Sequence, residues 1–302
     1  MPSRRYVVAD VFTEQPFGGN QLAVVLDSEG LTTTQMQAIT REFNFSECTF
    51  VLPPDDPTYT ARVRIFTTTC EVPFAGHPNV GTAYVLARMG EAFGRRIGDT
   101  VWFEELAGIV PVSIHTVDGV AVGATLTAPE PFQLGETFDP AAVAASLRLN
   151  PEDILLERHV PCEASVGLPF VMVELTNTDA LSRIRPDAEA SCALLENRRA
   201  GGFHVYARQV PATHAQLRAR NFCPLLGSAE DAATGSANAA LAGLLASLDP
   251  LTEGMFHFEV TQGVEMGRPS HLQLAARKAG AVITAQVGGA CISVMQGALH
   301  ID

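Results

Sequence analysis

Three short polar clusters stand in apolar surroundings, and their residue types suit proton transfer and anion binding. The first is FNFSECTFVL, where Ser46 and Glu47 lie between aromatic residues and a strand-like run. A carboxylate in that setting is partly desolvated. Desolvation raises a carboxyl pKa towards neutrality, which suits a group that takes up and returns a proton. The second cluster is PFAGHPNVG, where Gly76 and His77 begin an apolar helical segment. Backbone N–H groups at a helix start attract anions, and an imidazole beside them can give or accept a proton. The third is EDAATGSANAA, in which Asp231 precedes a turn and Gly235-Ser236 opens another apolar helical segment. Taken singly, each cluster also has a structural reading. Glu47 could face solvent at a strand edge, His77 could be a satisfied core histidine, and Ser236 could be an N-cap. Glu230 and Asp231 could simply favour a positive helix end.

The elements that would position these residues alternate short β-type runs with turn signals. Tyr6–Phe12 and Leu22–Leu26 read as strands around the turn PFGGN. Thr33–Phe43 carries apolar residues at helical spacing (Met36, Ile39, Phe43), with Thr32 or Thr33 as cap. Cys48–Leu52 and Ala61–Phe66 return to strand. His77–Met89 and Ser236–Leu248 have no polar face, so each is expected to be buried on every side. They also look like copies. A shift of 159 sets Gly76 on Gly235, His77 on Ser236, Asn79 on Asn238, Ala83 on Ala242 and Leu86 on Leu245, and Arg64–Phe66 (RIF) echoes Arg220–Phe222 (RNF). The expected architecture is α/β, with two similar domains, each a mixed sheet wrapped around a central buried helix and related by a pseudo-twofold axis. Such an axis would bring the two helix starts face to face across a cleft. Glu47, His77, Asp231 and Ser236 would line it as acid–base and positioning groups for a carboxylate ligand. The boundary is expected near Thr127–Pro140, which holds three prolines, after which Asp139 caps a helix with Pro140 at its first position. Further strands are expected at Phe170–Leu175, His204–Arg208, Met255–Thr261, His271–Ala276 and Ala281–Val287.

Composition narrows the chemistry. The 302 residues hold 20 Lys plus Arg against 33 Asp plus Glu, a formal net charge of -13, which gives no general field for a nucleic acid. Lys278 is the single lysine. In AARKAG it reads as a solvated turn, which sets aside Walker-type phosphate loops and Schiff-base enzymes. The eight histidines show no metal-ligand spacing, so no metal site is expected, and no G-x-G-x-x-G follows a strand. The six cysteines form no C-x-x-C pair. With no apolar leader and no apolar run of ~18 residues, the expectation is a cytoplasmic protein without a membrane span and with reduced thiols.

The motifs DVFTEQPFGGNQLAVV, NFSECTFV, IFTTTCEVPFAGHPNVGTA, EDAATGSA and QGVEMGRPS, in this order, resemble the phenazine-biosynthesis isomerase family (PhzF-like proteins), within the diaminopimelate-epimerase fold. The resemblance runs over essentially the whole chain. It implies a cofactor-free isomerase with two epimerase-like halves, residues 1–127 and 128–288, a final strand 289–302 returning to the first half, and a site in the cleft between them. It implies Glu47 as the proton carrier, with His77 and Asp231 as further catalytic residues. Ser46, Gly76, Gly235 and Ser236 would be substrate-binding. In the phenazine enzyme the glutamate removes a proton at C3 of trans-2,3-dihydro-3-hydroxyanthranilate, the proton returns at C1, and tautomerisation gives a ketone. Related epimerases and proline racemases place a cysteine before each helix-start glycine. Here those positions are Ala75 and Thr234, so a two-cysteine racemisation is not expected.

The expected partner is a small-molecule carboxylate substrate, with no nucleic acid and no membrane, and the expected assembly is a homodimer. Two other functions fit the same residues. One is a serine hydrolase with Ser236 as nucleophile, His77 as base and Asp231 as orienter, although no G-x-S-x-G elbow is present. The other is a non-catalytic protein that binds a small carboxylate or a protein partner.

Overall fold

The computed structural model describes residues 3–209, 216–226 and 228–301. In chain order the elements begin with β1 (Ser3–Val11), β2 (Asn20–Val25), α1 (Thr33–Phe43), β3 (Glu47–Leu52), β4 (Ala61–Thr67), β5 (Glu71–Val72) and α2 (Gly76–Met89). After α2 come β6 (Glu91–Ala92), β7 (Arg95–Arg96), β8 (Thr100–Glu105), β9 (Gly108–Val117) and β10 (Val120–Thr127). Next are β11 (Gln133–Thr137), α3 (Pro140–Leu147), β12 (Cys162–Ser165), β13 (Pro169–Leu175), α4 (Thr178–Arg183), α5 (Ala188–Leu195), β14 (Phe203–Arg208), β15 (Gln216–Cys223) and β16 (Ser228–Asp231). Last are α6 (Gly235–Leu248), β17 (Glu253–Gln262), β18 (Ser270–Ala279) and β19 (Val282–His300). The chain divides into two compact units, Met1–Thr127 with Gly288–Asp302, and Ala128–Val287. Asp302, the end of the expected final strand, lies outside the described residues.

The first unit is a closed ring of eight strands. β1 pairs antiparallel with β2, β2 parallel with β3, β3 antiparallel with β4, and β4 parallel with β8. β8, β9 and β10 form an antiparallel meander, β10 pairs with β19, and β19 returns antiparallel to β1. α2 packs against the inner face on β1, β2, β3, β9 and β10. Every residue from Gly76 to Leu86 is buried, as a helix without a polar face requires. Closeness of packing explains Gly81: a Cβ there would lie 2.6 Å from Leu22 Cδ2 and 2.7 Å from Val11 Cγ2. α1 covers part of the outer face through Met36 and Ile39, against Val8, Ala23, Val25, Phe50 and Phe66. Its cap is Thr32, in a capping box with Gln35, which resolves the choice between Thr32 and Thr33.

The second unit repeats this construction. β12 pairs antiparallel with β13, β13 parallel with β14, β14 antiparallel with β15, β15 parallel with β17, and β17 antiparallel with β18. Its central helix α6 is buried from Ala237 to Ala246 and packs on β12, β13, β17 and β18. The outer face of β13, β14 and β15 carries Val171, Val173, Phe203, Val205 and Phe222 against Val143, Leu147, Leu181 and Leu195 of α3, α4 and α5. Asp139 caps α3 with Pro140 at its first position.

The structure departs from the sequence expectations at several points, and the strands expected at Ala281–Val287 and 289–302 are one continuous strand, β19. Residues 133–137, inside the expected connecting stretch, form the strand β11, fully exposed and paired with β12. Both central helices start one residue earlier than expected, at Gly76 and Gly235. Lys278 is a strand residue of β18 rather than a solvated turn. Its Nζ donates to Ala246 O and Asp249 O at 3.1 and 2.9 Å, so a cation meets the carbonyl end of α6.

Candidate active site

In the first unit the structure brings Ser46, Glu47, Gly76 and His77 together. Asn44 ends α1 in the left-handed conformation (φ 53°), and Phe43 and Phe45 stack at 5.8 Å across that reversal. The turn delivers Glu47 as the first residue of β3, beside Leu22 of β2. Asn20, which opens β2, joins the pieces. Its Oδ1 accepts from Ser46 Oγ at 3.2 Å, and its Nδ2 lies 3.5 Å from His77 Nδ1. Glu47 Oε2 is 3.6 Å from the same nitrogen, is shut off from solvent, and has no hydrogen-bond partner among the described residues. Burial pushes the Glu47 carboxyl up to about 7, against a smaller opposing effect of Ser46. An amide Nδ2 can only donate, so in this contact His77 Nδ1 is the acceptor.

The segment that carries Gly76 and His77 is fastened before it enters α2. Arg64 of β4 holds Glu71 of β5 through two hydrogen bonds of 2.7 and 2.6 Å, and its guanidinium lies 5.1 Å from the Phe66 ring. Ala75 is the N-cap and has no capping side chain. Asn79 Nδ2 closes on Ala75 O at 3.1 Å. The first N–H groups of α2 have no intrahelical acceptor, and the helix dipole adds positive potential there.

The second unit gathers Asp231, Gly235 and Ser236 in the same way. Arg220 of β15 holds Glu230 of β16 through two bonds of 2.8 Å, and it lies 4.9 Å from the Phe222 ring. The two Arg–Glu clamps correspond: Glu71 precedes Gly76, and Glu230 precedes Gly235, by the same interval. Beyond the clamp, Thr234 Oγ1 donates to Asp231 Oδ2 at 2.6 Å. Gln262, fully buried at the end of β17, donates to Asp231 O at 2.8 Å and to Thr234 Oγ1 at 3.1 Å, and its Oε1 accepts from Asn238 Nδ2 at 2.7 Å. Ser236 is not the N-cap. Thr234 holds that position, its hydroxyl is spent on Asp231, and Ser236 stands one residue inside the helix. Glu230 is an ion-pair partner rather than a free charge at the helix end. Deeper in, His204 Nδ1 lies 3.2 Å from Asn221 Oδ1, and burial pushes this imidazole down to about 4, so it is neutral at pH 7.

Sequence reading overlooked Asn20, Gln262 and the Arg64–Glu71 clamp. Only the clamp left a signal, an arginine two residues before a phenylalanine and a glutamate five before a helix-start glycine, present twice. A cavity of about 390 Å³ is lined by Ser182, Arg185, Arg220, Glu230 and Glu265, whose charges balance, so it offers a carboxylate no net attraction. Among the described residues no group of three or more His, Cys, Asp or Glu is arranged to hold a metal ion, and no helix is long and apolar enough to cross a membrane.

Comparison with known proteins places this geometry in context. A family model described as phenazine biosynthesis-like protein matches residues 9–297. The chain is 41% identical to an uncharacterized isomerase of Mesorhizobium japonicum, over 100% of both chains. It is 36% identical to the trans-2,3-dihydro-3-hydroxyanthranilate isomerase of Pseudomonas aeruginosa, over 98% of this chain and 99% of that one. Its fold matches the crystal structure of a Bacillus anthracis phenazine biosynthesis protein of the PhzF family, with a TM-score of 0.89 over 100% of both chains at 24% identity.

Proposed function

Because this chain belongs to the phenazine biosynthesis-like protein family, we propose that it is an isomerase that moves a proton between two carbons of a small, cyclic, carboxylate-bearing substrate through Glu47. The supporting observation is the Glu47 carboxyl itself: half-buried, with Oε2 shut off from solvent beside His77, and pushed up to about 7. At neutral pH such a group populates both its basic and its acidic form, which proton uptake and return both require. As carboxylate it takes the proton from a C–H bond, and the electron pair passes into the substrate's conjugated system. As acid it then gives the same proton to a second carbon, so nothing is oxidised or reduced. His77 and the N–H groups at the α2 start stabilise the charge that develops. In the second unit Thr234 and Gln262 fix Asp231. The reaction in this reading needs no cofactor.

The serine-hydrolase alternative lacks comparable support. Asp231 Oδ2 is engaged by Thr234, and Ser236 stands inside a helix start rather than on a strand-to-helix elbow. The test is incubation in D₂O with trans-2,3-dihydro-3-hydroxyanthranilate and a panel of small cyclic amino and hydroxy acids. Carbon-bound deuterium in one of them, seen by mass spectrometry, supports the proposal. Ester turnover with covalent labelling of Ser236 and no deuterium uptake would replace it with hydrolysis.

A further inference from the structure

The inner face of the second unit carries a fully buried carboxylate that the proton transfer does not use. Glu174 of β13 and Tyr206 of β14 are direct neighbours across the parallel pair. Their strand neighbours Val173, Leu175, Val205 and Ala207 belong to the outer core, so alternation turns both side chains to the inner face, on which α6 packs. Tyr206 Oη donates to Glu174 Oε2 at 3.0 Å, and Arg208 Nε donates to Oε1 at 2.9 Å. His159 reaches this group from the segment 155–161, which leads into β12. Among residues 156–160 the others are exposed, and His159 alone turns in. Its Nε2 lies 2.7 Å from Tyr206 Oη, and its Nδ1 lies 2.8 Å from Val160 O.

These contacts need more hydrogens than the neutral side chains hold. Val160 O and an ionised Glu174 are acceptors alone. Between them lie three contacts of 2.7–3.0 Å in a row: Val160 O to Nδ1, Nε2 to Oη, and Oη to Glu174 Oε2. Each requires a hydrogen. A neutral imidazole supplies one and the tyrosine hydroxyl supplies one. With His159 neutral, its hydrogen goes to Val160 O, and the hydroxyl must leave either Nε2 or a buried carboxylate oxygen without a donor. The imidazolium supplies the missing hydrogen and satisfies every contact. Turning the ring over would set carbon atoms against those two oxygens, so the close contacts fix which ring atoms are nitrogen.

An opposite charge faces the imidazole directly, with Glu174 Oε2 3.8 Å from Nε2. Arg208 of β14, and Arg158 with its Nε 4.0 Å from Glu174 Oε2, keep that carboxyl ionised. Cys162, which opens β12, has Sγ 3.8 Å from Nδ1, and burial pushes its thiol up to about 11, so it is uncharged. α6 has no titratable side chain. Glu163 of β12 and Arg218 and Arg220 of β15 are engaged by Arg199, Glu265 and Glu230. Burial by itself pushes the His159 imidazole down, with smaller effects of the same sign from Arg158 and Arg208, while the Val160 carbonyl and the Glu174 charge push it up. The Tyr206 oxygen, turned to Nε2 once its hydroxyl points at Glu174, adds to the upward side. The alternative, a buried carboxylate oxygen set against a hydroxyl oxygen with no hydrogen between them, is the costlier one.

We propose that His159 is held as an imidazolium and, through Tyr206 and Glu174, latches the segment 155–161 onto the inner face of the second unit in a pH-dependent way. The folded protein then binds this hydrogen more tightly than the unfolded chain does. The latch is complete below about pH 6.5, the ordinary value for histidine, and is lost as pH rises through the higher folded value. A histidine buried in its neutral form would do the reverse and cost stability in acid alone. The inference depends neither on Glu47 nor on the reaction.

Nitrogen NMR of the whole protein with labelled histidine tests the protonation directly. The His159 ring, assigned through bonds, is expected to carry hydrogen on both nitrogens at neutral pH and to lose one in alkaline solution. Urea unfolding followed by circular dichroism tests the latch. His159→Gln offers Tyr206 an amide N–H that does not titrate. Between about pH 6 and about pH 9 the folded-to-unfolded ratio of the wild type should fall about tenfold relative to His159→Gln, for each unit by which folding raises the proton affinity. A His159 ring with a single hydrogen at neutral pH overturns the inference whatever the unfolding shows. A relative ratio that stays constant over that range, or changes only in more acid solution, overturns the latch. Should the variant fail to fold, the wild-type NMR titration still decides, because a ring that gains its second hydrogen only below about pH 6.5 is the opposite result.

Discussion

Replacing Glu47 by glutamine should stabilise the first unit in alkaline solution and leave it almost unchanged in acid. The carboxyl moves from the ordinary 4.5 to about 7 on folding. At 1.36 kcal/mol per tenfold change in proton affinity, burying the anion disfavours folding by about 3 kcal/mol. The folded-state pKa lies above the unfolded one, so below about pH 4.5 the group is neutral in both states and the penalty vanishes. From there the folded protein holds the proton more tightly, and stability falls as pH rises until the penalty is complete just above pH 7. Glutamine carries no such penalty. The difference in unfolding free energy between Glu47→Gln and wild type should therefore grow by about 2–3 kcal/mol between about pH 5 and about pH 8.5. The lower end allows for the fifth of the side chain that remains exposed. Other titrating groups cancel in this comparison. The chain's single tryptophan, Trp102, lies on β8 of the first unit, so urea unfolding followed by its fluorescence reads the correct unit. A stability difference that does not change with pH would mean that Glu47 titrates as an ordinary carboxylate, and desolvation would no longer explain its basicity.

Two further perturbations probe the frame. Glu230→Ala removes the bidentate partner of Arg220, whose side chain is only 5% exposed, and should destabilise the second unit by about 3–5 kcal/mol in urea unfolding. Replacing both partners by Met and Gln should restore much of that loss, and an equal loss in the double variant would show that the guanidinium is not the cause. Gly81→Ala sets a gain of about 1 kcal/mol in helix propensity against contacts of 2.6 and 2.7 Å with Leu22 and Val11. Overpacking of that kind typically costs about 1–3 kcal/mol, so a lower Tm is expected, and a higher one would show that those side chains yield freely.

Much of this frame was legible in the amino-acid order because single features carried the signal. The helix Thr33–Phe43 had regular apolar spacing, and the two central helices lacked a polar face. The G-x-x-N register exposed the duplication that the strand pairings display. Glu47 and His77 stood out because polar residues interrupt apolar runs. Other parts were silent for physical reasons. Gln262 sits at the end of a strand, where a polar residue normally marks the solvent, and its full burial under the start of α6 is set by the three-dimensional pairing. Ser236 looked like a cap because the cap preference of serine is strong, yet the Thr234 hydroxyl is drawn to Asp231 and the helix begins without a capping side chain. Lys278 looked solvated beside another charge and a glycine. The strand register brings it to the carbonyl end of α6, which local sequence does not reveal.

The most direct test of the proton-shuttle account is the rate at which solvent deuterium enters carbon of a turned-over substrate, compared for wild type, Glu47→Gln and Ser236→Ala at matched ligand saturation. Glutamine keeps the size of Glu47 but cannot accept and return a proton. Exchange in Glu47→Gln should fall by about 10⁴-fold or more, with ligand affinity nearly unchanged. Ser236→Ala should bind more weakly and still exchange when saturated. Near-normal exchange in Glu47→Gln, with Ser236→Ala inactive at saturation, would contradict the account.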